Sequence, residues 1–567
     1  MSNEVKFHIH STRAFNNYEE GIVVKEKVAI PQEDNTYKFE DRLNTIVNPK
    51  RSFYIHQPKY QDYKYKIEYA KLDQCDQYTC YNRELEQEVK HRLGIYTNKR
   101  MSIRELCNSP YLYGADIDIE VLIKIAYLTR NKKVDITPPI SFGSLDLEVS
   151  VVASDGRIML AGICIDGTVH LVVLDAFLYK PGKIDKTGYP ERIKATLADI
   201  DELIPSMIGD YLEKFKLKYE LHLVYSELDL IIKMMSIIHD SKIDFCGVWN
   251  MPYDIPKIIE RIKVNNGDVA TIMSHPDVPK EFRYAKYRPD YSKTDHFTDS
   301  WDWMNCTGYT QFNDSMRTYS RLRKVKGREP SYALGAISEK IIKHGKVDLG
   351  GSHWYNQLYN FPAYAVYCIV DAGNVYAMDK KTNDTSSMCN LVGNSLLKSF
   401  SKQTVMLKND FYQYCLERNL ISGTVGEMMG TPFDDLIGKG GGTVLSPYLI
   451  RDAGLRCVAM RRQLHTLLYM FIKDIDAASM YPYTTKAFNI SKETCRATMV
   501  KLDGMNEVDI EELYAAMMSP RENALLYGNK YFDIPTPSQL LDNYDQWFIE
   551  RQSKSPYEIR EYLGLVS

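Results

Sequence analysis

The sequence contains no apolar run approaching the roughly 18 residues of a membrane-spanning helix, no internal repeat and no long low-complexity linker. A soluble chain, neither membrane-spanning nor a repeat array, is therefore expected. The opening segment, MSNEVKFHIHSTRAF, lacks the basic-then-apolar layout of a secretory signal. Eleven cysteines are scattered without a framework spacing, so reduced thiols in a cytoplasm are expected. Cys75 and Cys80 form a C-x4-C pair with no second pair and no histidines at finger spacing, which favours two ordinary thiols over structural zinc. An excess of positive charge is also missing: 71 Lys and Arg stand against 74 Asp and Glu, for a formal net charge of -3. Any binding to phosphates must then come from local clusters rather than from the total. The densest basic stretch, Arg321, Arg323, Lys324, Lys326 and Arg328 within RLRKVKGREP, reads equally well as a DNA-backbone contact or as a solvated loop.

At 567 residues the chain exceeds the size at which one hydrophobic core keeps growing, and two to four domains are expected. Forty-two tyrosines are many. Their rings can stack unpaired bases or fill cores. Residues 1 to about 135 mix short alternating segments with polar turns, and end in a helical run through Val121, Leu122, Ile125 and Leu128 before the breaker Pro138-Pro139. From Ser141 short apolar strands follow, LDLEVSVV, RIMLAGICI and HLVVL, separated by turns at Asp155-Gly156 and Asp166-Gly167. This predicts a three-stranded antiparallel meander. Strand LHLVY, a helix from about Leu228 to His239, strand IDFCGV and a helix from Ile255 to Val264 continue it in the α/β alternation of a layered sheet, an order that fits an RNase H-like domain.

Asp146 and Glu148 lie two apart on the first of these strands, so both side chains project from one face. Two like charges so placed need cations. A similar triplet, Asp116, Asp118 and Glu120, precedes an apolar helical run ending in Arg130, the charge order that a helix dipole favours, and reads as structural. In VWNMPYDIPKI, Asp254 sits between a strand end and a helix start, where open sheets place ligands; a helix N-cap is its alternative role. In YCIVDAGNV, Tyr367 and Asp371 are four apart on a helix and share a face, so a phenol and a carboxylate could hold a water between them.

The ordered set Asp-x-Glu, Asn-x-x-Tyr-Asp and Tyr-x-x-x-Asp resembles the three exonuclease motifs of family B DNA polymerases, in the DEDDy branch, and the surrounding text is similar to tailed-bacteriophage members. The resemblance implies that Asp146, Glu148 and Asp371 hold one catalytic metal and that Asp146 also holds a second. It further implies that Asp254 completes the carboxylates and that Tyr367 orients the attacking water. Two Mg²⁺ or Mn²⁺ ions per site agree with hard oxygen ligands and with in-line displacement at phosphorus. The second motif departs from the family: only Met251 and Pro252 separate Asn250 from the aromatic-Asp pair, where three residues are usual. Lys346 is similar to a lysine near this site in phage relatives.

Further on, IGKGGGTVLSP, with Gly440, Gly441 and Gly442, resembles the family's template-contacting turn; a flexible hinge is the alternative. FIKDIDAASMYPYTTK resembles polymerase motif A, with Met480 replacing the usual Leu. By resemblance Asp476 is a palm metal ligand, supported by Asp474; the backbone of Ser479, Met480 and Tyr481 contacts a deoxynucleoside triphosphate, and the Tyr481 ring lies under its sugar. The fold class expected is α/β (α+β multidomain), with three parts. These are an N-terminal α+β domain at 1–135 completed by about 376–430, an RNase H-like 3′-5′ exonuclease domain at 136–375, and an incomplete palm at 431–567. Residues 491–567 contain neither the fingers motif nor the second palm Asp. One chain of a split replicative polymerase is therefore expected. Its partners would be a C-terminal chain, primer-template, single-stranded 3′ ends and, through that chain, a sliding clamp, in a host-cell cytoplasm. A stand-alone exonuclease with a vestigial palm, or a nucleic-acid-binding module, remain open alternatives.

Overall fold

The computed structural model describes residues 4–423, apart from 17, 35, 62–65, 67–68, 98–99, 132–133, 154, 179–187, 292–293 and 295, and beyond 423 only four short strands. The chain divides into two compact units. One comprises Met1–Gln61, Glu68–Cys107 and Tyr111–Thr424, the other Asp62–Ile67, Asn108–Pro110 and Val425–Ser567. In the second unit two antiparallel pairs are described, Ala459–Arg461 with Thr466–Leu468 and Ala524–Tyr527 with Lys530–Asp533. Gly440 to Gly442, Asp474, Asp476, Ser479, Met480 and Tyr481 lie outside the described residues.

The first unit is mixed α and β. It opens with β1 (Val5–Phe15), β2 (Glu20–Pro31) and β3 (Tyr37–Val47), paired antiparallel in that order. These strands are far longer than the short segments read from the sequence. The period-2 signal fails because β2 buries charge: Lys25 and Lys27 point to one side and both pair with the buried Asp244, Lys25 at 2.6 Å. Asp244 also accepts from the Ser141 amide at 2.7 Å, which fixes the start of the next sheet.

That sheet has six strands: β4 (Phe142–Val149), β5 (Ile158–Ile165), β6 (Thr168–Leu174), β7 (Lys218–Val224), β8 (Phe245–Val248) and β9 (Gln311–Asp314). Their spatial order is β7-β6-β5-β4-β8-β9, with β5 antiparallel to both neighbours and every other pair parallel. The meander expected from the sequence is β4 to β6. One face, through Leu145, Leu147, Val172 and Leu174, packs in one core with helices α2 (Glu227–Ser241) and α3 (Met251–Val264). The helix ahead of this sheet in the chain, α1 (Ile119–Arg130), belongs to the N-terminal part. Expectation placed the start of α3 at Ile255; it starts at Met251 instead, because Pro252 fits the first turn, where its missing N–H has no helical partner to lose.

The other face meets α4 (His353–Tyr359) and above all α5 (Phe361–Thr382), in which every residue from Ala363 to Met378 is buried. A helix apolar all round requires cover on every side. It obtains this by lying directly on β5: a Cβ at Gly162 would stand 2.8 Å from Cys368 Sγ and 3.3 Å from the Cys368 carbonyl. Ser144 Oγ donates to the Ala372 carbonyl at 2.7 Å and joins the same helix to β4. Among the described residues no helix is long and apolar enough to cross a membrane.

Two outcomes follow. Gly162→Ala is expected to lower stability by about 1–3 kcal/mol through overpacking against α5, read as a lower urea midpoint. Asp244→Ala leaves the buried Lys27 without its acid and Lys25 with Asp41 alone, and is expected to cost about 3–5 kcal/mol, the larger loss of the two in the same titration.

Candidate active site

Asp146 and Glu148 project from β4 toward α5, since their neighbours Leu145 and Leu147 face the opposite core. Asp146 stands opposite Gly162 in the ladder, so the residue that lets α5 approach is also the cross-strand neighbour of the first carboxylate. On α5, Tyr364, Tyr367 and Asp371 recur at three and four residues and share one face. One carboxylate oxygen each from Asp146, Glu148 and Asp371 lies within 4.8 Å of the others. Residues distant in sequence are thus brought to one point.

Hydrogen bonds fix the set. Tyr364 Oη donates to Glu148 Oε2 at 2.6 Å. Gln357 of α4 donates to Tyr364 Oη at 3.1 Å and to the Val149 carbonyl at 3.0 Å, and accepts from the Val151 amide at 2.9 Å. Lys346 Nζ donates to Tyr367 Oη at 2.8 Å and to Asp371 Oδ2 at 2.5 Å. The other Asp371 oxygen, Oδ1, is buried with no hydrogen-bond partner. An acceptor left so is expensive unless a cation takes it.

Asp254 is buried in the first turn of α3. It does not cap that helix: the Met251 amide donates instead to Asp314 Oδ2 at 3.1 Å, and Asp314 is held by Arg317. Asn250 precedes the helix at φ 118°, an exposed position with left-handed backbone. Burial, followed by Asp371, Glu148 and Asp254, pushes Asp146 well above the usual carboxylate range. Burial pushes Glu148 up to about 7 against the opposing Tyr364 hydrogen bond. Burial, Glu148 and Asp314 push Asp254 up to about 7. Asp371 is also raised by burial, with Lys346 opposing. Four carboxyls held this way resist ionisation together unless cations or protons compensate. An all-oxygen donor set with one orphaned acceptor fits Mg²⁺ or Mn²⁺.

Tyr364 was missed at the level of sequence, although its spacing of three from Tyr367 was a legible signal. Gln357, His353 and Asp314 carried none. The His353 ring packs edge-on against both Tyr364 and Tyr367, with centroids 5.8 Å away in each case. Its helix α4 exposes about half of Trp354, Tyr355 and Tyr359 to solvent. Asp116, Asp118 and Glu120 stay out of the site: Lys408 pairs with Asp116 at 3.3 Å, and Lys398 with Asp118 and Glu120. In the basic stretch, Arg323 forks onto Asp384 at 2.8 and 3.0 Å, while Lys324 and Arg328 pair with Asp299. Three of its five cations are thus paired with acids of this unit.

No family model matches the chain, and a search of curated proteins found no match.

Raised carboxyl pKa values have a signed consequence. Glu148 and Asp254 bind protons more tightly folded than unfolded, so their protonation stabilises the fold at low pH, and that contribution is lost as pH rises through about 7. In chelator, Glu148→Gln/Asp254→Asn is expected to melt higher than the parent at pH 8, the difference shrinking as pH falls to 6. Differential scanning fluorimetry across that range checks it.

Proposed function

We propose that this chain hydrolyses phosphodiester bonds at the 3′ end of single-stranded DNA, as a proofreading exonuclease of the family B polymerase type. The observation that carries this reading is the convergence of Asp146, Glu148 and Asp371 on one point beside Tyr367 and Lys346. The order β6-β5-β4-β8-β9, with β5 alone reversed, supports an RNase H-like domain, to which β7 adds an edge.

Asp146, Glu148 and Asp371 would hold the divalent ions, which supply a water of lowered pKa and neutralise charge gathering on the phosphate. The chain's own groups do the rest. Burial and Asp371 raise the Tyr367 pKa, so its phenol stays protonated. Because Lys346 donates to the phenol oxygen, the phenol proton is directed to Asp371, a water or a phosphate oxygen. Lys346 adds a fixed positive charge where an anionic substrate must approach. Trp354, Tyr355 and Tyr359 offer aromatic faces beside the site on which unpaired bases can stack, the requirement of a frayed 3′ end. The motif A resemblance extends the proposal to a nucleotidyl-transfer site with Asp476 as one metal ligand, acting on primer-template and deoxynucleoside triphosphates.

The test uses 5′-labelled single-stranded DNA in Mg²⁺, where the chain is expected to produce a ladder shortened from the 3′ end. Asp146→Ala/Glu148→Ala should slow it about a thousandfold, near 4 kcal/mol of barrier. An undiminished rate in that double variant, or digestion from the 5′ end, would overturn the proposal.

A further inference from the structure

A second constellation lies on the opposite face of the same sheet and takes no part in the chemistry above. His170 on β6 stands beside Glu220 in the parallel ladder, and His222 follows Glu220 by two residues on the edge strand β7, so all three side chains leave one face. That face is the one covered by α2: Val172 and Leu174, in step with His170, lie in the α2 and α3 core. Across the ladder His170 is in line with Ile163 and Leu145, whereas the neighbouring row, Leu171, Gly162 and Asp146, faces the other way. The two sites thus sit on opposite faces of the sheet, with β5 between their strands.

We infer that His170, Glu220 and His222 form a binding site for a divalent transition metal, with Zn²⁺ the best fit. The three donor atoms lie at the spacing such an ion imposes. His170 Nδ1 is 3.2 Å from His222 Nε2 and 3.3 Å from Glu220 Oε2, and His222 Nε2 is 3.8 Å from Glu220 Oε2. Ligands about 2.0–2.2 Å from a tetrahedral zinc stand about 3.3–3.5 Å from one another, so the trio outlines one face of that tetrahedron. Two imidazoles and a carboxylate are zinc's own ligand set, and they leave a fourth position to water.

Hydrogen bonding alone serves the three atoms poorly. A proton on His170 Nδ1 can point at His222 or at Glu220 but not well at both, and with the proton on His222 Nε2 two acceptors, Nδ1 and Oε2, face each other at 3.3 Å. A cation between them satisfies all three lone pairs. The imidazoles are about three-quarters covered while Glu220 is 59% exposed, so the ion can enter from solvent without opening the core. Lys233 of α2, half-buried, is the cation that acts on both rings and opposes a further positive charge there. The consequence is mechanical. β7 is the edge of the sheet and pairs with β6 alone among the described residues, and the ion would clamp that edge across the ladder.

The experiment strips the full chain with chelator, adds excess Zn²⁺, removes unbound ion and counts bound zinc by elemental analysis. The Asp146→Ala/Glu148→Ala protein serves as a second parent, to separate this site from the carboxylates. In both backgrounds His170→Ala and His222→Ala are each expected to bind one zinc fewer. Glu220→Gln, at an exposed position where folding is undisturbed, is expected to weaken zinc binding about tenfold or more. Single-stranded nuclease activity in Mg²⁺ should be unchanged in all three. If zinc count and affinity match the parent in Glu220→Gln and in the folded histidine variants, the trio is an ordinary hydrogen-bonded histidine pair and the inference is overturned.

Discussion

The carboxylate cluster depends on how closely α5 can lie on β5. The absence of a side chain at Gly162 lets the Cys368 turn rest on the strand, and the Ser144 bond to the Ala372 carbonyl fixes the helix along its length. Asp371 is one residue before that anchored carbonyl. Asp146 is opposite the glycine. The same contact that closes the core therefore sets the distance between the carboxylates, and any residue that lifts the helix separates them. Dense packing transmits such a shift because the interior has no slack to absorb it.

Against this packing stands the repulsion of the acids it brings together. Burial raises Asp146, Glu148, Asp254 and Asp371 alike, and neighbouring carboxylates add to it for the first three, a strain that the rest of the fold must outweigh. The compensations present are a phenol on Glu148 and an ammonium on Asp371. Neither reaches Asp371 Oδ1. A site incompletely compensated by its own side chains is poised for external cations.

Burial of charge recurs at the junction of the N-terminal sheet with the six-stranded one, but with the opposite logic. Lys25 and Lys27 converge on Asp244, whose backbone leads into β8 and whose carboxylate holds Ser141 at the entry to β4. Such a cluster adds little stability relative to apolar packing, yet losing its one central acid is costly. It fixes the register with which both sheets start, upstream of the strand that carries Asp146 and Glu148.

The sequence by itself determined the meander from β4 to β6, the α/β alternation after it and the pairing of Asp146 with Glu148 and of Tyr367 with Asp371. Each of these is local: periods of two and of 3.6, read against turn residues, report which side chains share a face. The long N-terminal strands escaped because ion-paired lysines inside β2 break the hydrophobic alternation, and the true start of α3 escaped because a proline in its first turn mimics a loop. Only the tertiary structure decided that α5 lies on Gly162 and that Lys346 bridges Tyr367 and Asp371. It alone also brought Tyr364 to Glu148 and His170 beside His222. These contacts join residues up to 216 positions apart, as Tyr364 and Glu148 are, and no local periodicity reports what the packing of a helix on a sheet brings together.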